Sequence, residues 1–109
     1  MEVLRIFISL IKMPTLPRGT KFIVPKTGNK KYTALVPING KVKRVSFGDR
    51  RYQHYKDSTP VKKWSKLNHK DKERRANYRK RHGALRCKDG RKCISVKYSP
   101  AWFSYYFLW

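Results

Sequence analysis

Five histidine and cysteine side chains in this sequence could ligate a metal such as zinc: His54, His69, His82, Cys87 and Cys93. The spacing His82-x4-Cys87-x5-Cys93 lacks the closely spaced ligand pairs on which zinc sites rely, so no metal is expected. Cys87 and Cys93 flank a predicted Asp89-Gly90 turn and could face each other across it. That permits a cross-strand disulfide, whereas an intracellular setting would keep both thiols reduced. Folding is expected to depend on neither thiol. Catalysis has little to work with. The few acids fall in turns and helix starts, no glycine-rich loop could cradle a phosphate, and no nucleophile sits in a recognisable motif. The expectation is a non-enzyme with no cofactor and no small-molecule substrate.

Positive charge is what the chain has in excess. It carries 28 Lys+Arg against 6 Asp+Glu, a net +22 over 109 residues. Such a chain needs a counter-charge: nucleic acid, an anionic membrane surface or the acidic faces of other proteins. The densest run is residues 69–82, with Lys70, Lys72, Arg74, Arg75, Arg79, Lys80 and Arg81 against Asp71 and Glu73. Pairs such as Asp71–Arg75 stabilise a helix by only about 0.3–0.5 kcal/mol each. The unpaired remainder repels itself unless an anion is present. Arg50 and Arg51 extend the set and are interleaved with Tyr52, His54 and Tyr55. Such rings either stack on unpaired bases or, more commonly, pack inward while the cations stay wet.

The elements that must position these residues follow from local patterns. Residues 1–19 read as an apolar segment, Val3 to Ile11, and a Pro/Gly linker; residues 20–109 read as one small α+β domain. The apolar segment is too short to span a membrane and lacks a signal peptide's features. Met13-Pro14 leaves open whether translation starts at Met1 or Met13. Lys21–Val24 is a short strand stopped by Pro25. Asn39-Gly40 predicts a two-residue hairpin turn, pairing Ile38 with Lys41, Val36 with Lys43, Ala34 with Val45 and Tyr32 with Phe47. One face then collects Tyr32, Ala34, Val36, Val45 and Phe47, while Pro37 requires a strand edge or a bulge. Residues 50–67 read as a long loop with one helical turn around Tyr52 and Tyr55. Asn68 as N-cap, with Asp71 three residues on, starts the basic helix, and Gly83 stops it. A second hairpin is expected over Ala84–Tyr98.

The tail is the least generic feature, with six aromatics among its last eight residues. Ser99-Pro100 favours a short helix there, though the aromatic density equally allows a strand. Docking onto the chain's own hairpins is the first expectation. Trp102, Phe103, Tyr106 and Trp109 are also candidate anchors in a partner, some rings facing each way.

Several motifs in order, Phe47-Gly48-Asp49-Arg50-Arg51-Tyr52, His69-Lys70-Asp71 with Arg74-Arg75, Tyr78-Arg79-Lys80-Arg81-His82-Gly83, Ser99-Pro100-Ala101-Trp102-Phe103-Ser104-Tyr105 and Leu108-Trp109, span roughly residues 20–109. They resemble small basic proteins of large nucleocytoplasmic DNA viruses, most closely those of chlorella-virus-like phycodnaviruses. The biochemistry of those proteins is undefined, so no catalytic or binding residue is carried over. The resemblance implies a viral setting and a protein packaged in the particle. The resulting expectation is a minor capsid protein that cements shell subunits, located in the virion and, during assembly, in the host cell. Its partners would be capsid proteins, with viral DNA or the inner membrane surface as further neighbours. The alternative is a sequence-nonspecific nucleic-acid-packaging protein.

Overall fold

The computed structural model describes residues 15–109, so the apolar segment and the two candidate start sites lie outside the described residues. The architecture is mixed α+β. Three antiparallel strands, β1 (Lys21–Ile23), β2 (Tyr32–Ile38) and β3 (Lys41–Phe47), form a sheet in sequence order. Two helices follow, α1 (Lys72–Gly83) and α2 (Pro100–Phe107).

The hairpin has the register that the Asn39-Gly40 turn dictates: Ile38 pairs with Lys41, Val36 with Lys43, Ala34 with Val45 and Tyr32 with Phe47. Both turn residues have positive φ, 52° at Asn39 and 78° at Gly40, as the right-handed strand twist requires. Pro37 is accommodated because β1 reaches β2 only from Thr33 to Leu35, leaving β2 locally an edge at Pro37.

The inward face of the hairpin is the predicted one, and all five of its residues are buried. α2 lies against it and completes the core with Trp102, Phe103 and Phe107, followed by Leu108 just past its end. Phe103 stacks on Phe47 with centroids 5.1 Å apart, and Phe22 of β1 meets Tyr32, Phe47 and Phe103 edge-on. The tail is a helix because Ser99 Oγ accepts from the Trp102 amide and Pro100 occupies the first turn.

Four sequence expectations are corrected. α1 is capped by Asp71, whose carboxylate accepts from the Glu73 and Arg74 amides; Asn68 instead faces the loop, its Oδ1 accepting from the Asp57 amide. Gly83 is the last helical residue and not a left-handed stop; a Cβ there would lie 3.8 Å from Ile94 Cδ1, ordinary contact. The second hairpin reduces to a single bridge, Arg86 with Lys92, followed by a 3-10 turn at Cys93–Ser95, and Cys87 and Cys93 are joined in a disulfide. The helical turn in the 50–67 loop lies at Ser65–Leu67, away from Tyr52 and Tyr55.

That loop is held by buried polar groups. Asp57 accepts from Tyr32 Oη at 2.5 Å, from the Trp64 amide and from the Thr59 amide and hydroxyl. Lys31, 2% exposed, donates to the Tyr52 carbonyl and lies 2.8 Å from His54 Nδ1. Burial brings its ammonium down to about 8 and the His54 imidazole, with Lys31 beside it, down to about 4. With His54 neutral, Nδ1 accepts from Lys31, and the Nε2–H donates to Asn68 Oδ1 at 2.6 Å.

Candidate polyanion-binding surface

α1 has no aliphatic stripe, yet it docks. Its inward positions, spaced i, i+3, i+4, i+7, are Arg75, Tyr78, Arg79 and His82, all half-buried. Tyr78 stacks between His82 at 4.0 Å and Trp109 at 4.1 Å, centroid to centroid. Burial raises the Tyr78 hydroxyl to about 12 and lowers the His82 imidazole, with Arg81 adding to the latter. Arg75 Nε and Arg79 Nε and Nη2 all donate to the Trp109 main-chain oxygen, at 2.9, 3.2 and 2.9 Å. The two guanidiniums lie over Tyr55 and Tyr105. Burial, with Arg75 alongside, lowers Arg79's affinity for its proton.

The predicted cations therefore separate into two groups. Arg75 and Arg79 are built into the fold. So is Arg50, which donates to the Pro25 and Lys30 carbonyls and lies over Trp64. Arg51 pairs with Asp49 through two side-chain bonds, holding that carboxyl at about 2. The outer face of α1 and its approach leave Lys70, Lys72, Arg74, Lys80 and Arg81 exposed, Arg74 also reaching Gln53 Oε1. Among the described residues only two ion pairs form, Arg51–Asp49 and Arg91–Asp89, each between near neighbours in sequence. Local pairing thus leaves most of the positive charge unneutralised.

The four tail residues fare differently. Trp102 and Phe103 are taken up by the chain's own core, which removes them as partner anchors. Trp109 is half-buried in the α1 stack, and Tyr106 alone is exposed, at 36%. No group of three His, Cys, Asp or Glu that could hold a metal occurs among the described residues. No helix among them is long and apolar enough to cross a membrane.

Two further features escaped the sequence reading. A cavity of about 510 Å³ between the Gly48–Gln53 loop, α1 and the end of α2 is lined by Lys30, Tyr52, Tyr78, Arg81 and Trp109, among others. A second, more open cavity of about 540 Å³ brings Arg86 and Lys92 beside Arg79 and Lys80. Arg86 and Lys92 lie four residues or more beyond the basic run, and the hairpin expected over Ala84–Tyr98 brings them toward each other but not onto the end of α1. Compared with protein-family models, curated proteins and solved structures, the chain finds no match.

Proposed function

We propose that the chain is a non-enzymatic structural component of a virus particle, a minor capsid protein that sits between larger shell subunits. One observation carries the reading furthest: a cationic surface with only two local ion pairs among the described residues, on a fold that has used most of its aromatic tail internally. Attachment would then depend on charge, with the outer face of α1 meeting acidic capsid faces. A lesser contribution would come from Tyr106 and from Ile23 and Val42 on the outer side of the sheet, 37% and 61% exposed. In disrupted particles the protein should sediment with the shell and leave it as salt rises. Recovery with the DNA instead would refute the shell assignment.

A second reading, nucleic-acid packaging, is supported by the cavity in which Lys30 and Arg81 accompany Tyr52, a ring 64% exposed. Cations beside an open ring suit a phosphate and an unpaired base. Purified protein should then bind duplexes and single strands without sequence preference and with a steep salt slope. Absence of binding at low salt would eliminate it.

A further inference from the structure

The cations of the open cavity at the end of α1 come from two segments that have no other reason to place them together. Lys80 comes from the last turn of α1, where a positive charge suits the helix dipole. Arg86 and Lys92 come from the loop beyond, and the dipole argument does not cover them. The Arg86–Lys92 bridge and the Cys87–Cys93 disulfide, with Cα atoms 5.1 Å apart, hold them side by side. Ile94 packs beside Gly83, its Cδ1 3.8 Å from where a Cβ of that residue would stand, which brings the loop against the helix end.

Among the described residues, no acid lines the cavity to neutralise this arrangement. The loop's acid, Asp89, is bonded to Arg91 at 2.7 Å, and Asp71 and Glu73 stand at the opposite end of α1. Arg86 has one hydrogen bond, a 3.3 Å contact from Nη1 to the Gly90 carbonyl. A carboxylate could be satisfied by one guanidinium. Donors drawn from a helix and a loop around one cavity suit an anion with three or four oxygens pointing in different directions.

We propose that this cavity binds a phosphate group, with Lys80, Arg86 and Lys92 as its donors, supplied by a nucleic-acid backbone or by a free oligophosphate. The inference stands on the cavity alone and does not require the capsid assignment.

The test uses the full chain and two probes, a labelled 12-base-pair duplex and inorganic tripolyphosphate. The triple variant Lys80→Ala, Arg86→Ala, Lys92→Ala is set against Lys41→Ala, Lys43→Ala, Arg44→Ala, which removes the same charge from exposed positions on β3. The cavity variant should weaken binding at least about tenfold, and the control less than about threefold. Loss confined to the duplex identifies a nucleic-acid backbone as the source, and loss confined to tripolyphosphate a free oligophosphate. Equal losses from both triples, or none from the cavity triple, would overturn the site in favour of diffuse charge. Cys87→Ser with Cys93→Ser keeps every charge but frees the loop. Affinity should fall while thermal unfolding stays cooperative, and full affinity in that variant would overturn the loop's part in the site.

Discussion

Acidification should destabilise this protein chiefly through one imidazole. His54 is fully buried, and its value of about 4 lies below the ordinary 6.5 because burial and the Lys31 ammonium both oppose a second positive charge. Between those two values the unfolded chain binds a proton that the folded chain does not. The His54 contribution is therefore fully present above pH 6.5 and is lost as pH falls toward 4. The gap from 6.5 to about 4 sets a ceiling of about 3 kcal/mol, a large share of the about 5–15 kcal/mol available to a small domain. Urea unfolding from pH 7.5 to 4 should show the decline, and His54→Gln, which cannot titrate, should flatten most of it. Ring NMR should find the proton on Nε2 at neutral pH, since Nδ1 faces Lys31. Equal declines in both proteins, or a folded-state titration near 6.5, would refute the reasoning.

Other perturbations have effects of known sign. Lys31, at about 8 against 10.5, should make stability rise with pH between those values, measurable as a climbing urea midpoint. Phe103→Ala should cost about 3–5 kcal/mol by emptying a fully buried site stacked on Phe47, read by urea unfolding or by complete loss of cooperativity. Gly40→Ala and Gly48→Ala both place a side chain at positive φ, at about 1–2 kcal/mol. A Cβ at Gly48 would also stand 2.9 Å from Leu108 and 3.0 Å from Lys31, so its unfolding free energy should fall by about 1–3 kcal/mol more. Asp71→Ala should lower helicity by circular dichroism and cost about 1 kcal/mol, whereas Asn68→Ala should leave helicity unchanged yet destabilise the loop.

The hairpin was legible because its determinants are local: a turn that needs two positive φ values, and alternation that any slip of register would turn inside out. The tail helix was favoured by Ser99 and Pro100, although the aromatic density left a strand open. The docking of α1 was not, although its spacing was there to see. The stripe consists of Arg75, Tyr78, Arg79 and His82, whose contacts are ring stacks and guanidinium bonds that a scale of hydrophobicity scores as solvent-facing. Asn68 misled because Asn caps helices and braces loops with the same carbonyl oxygen, and only the position of Asp57 decides between them. Lys31 and His54 were invisible for a related reason. Their burial is tolerated only in company, and the company comes from residues 52–68.

The sheet and the helix that covers it are far apart along the chain. β3 ends at Phe47, and the rings that cover its inner face begin at Trp102. At about 5–20 residues per second, synthesis of the intervening stretch takes roughly 3–11 s, far longer than the microseconds in which a hairpin forms. Throughout that interval Tyr32, Val36 and Phe47 lack the cover of Trp102, Phe103 and Phe107. The nascent chain must therefore pass through a stage with a wet apolar sheet, guarded by its own dense like charge against sticking to its siblings. The charge excess so serves the protein before any partner is met, as protection against aggregation during the wait for its own last helix.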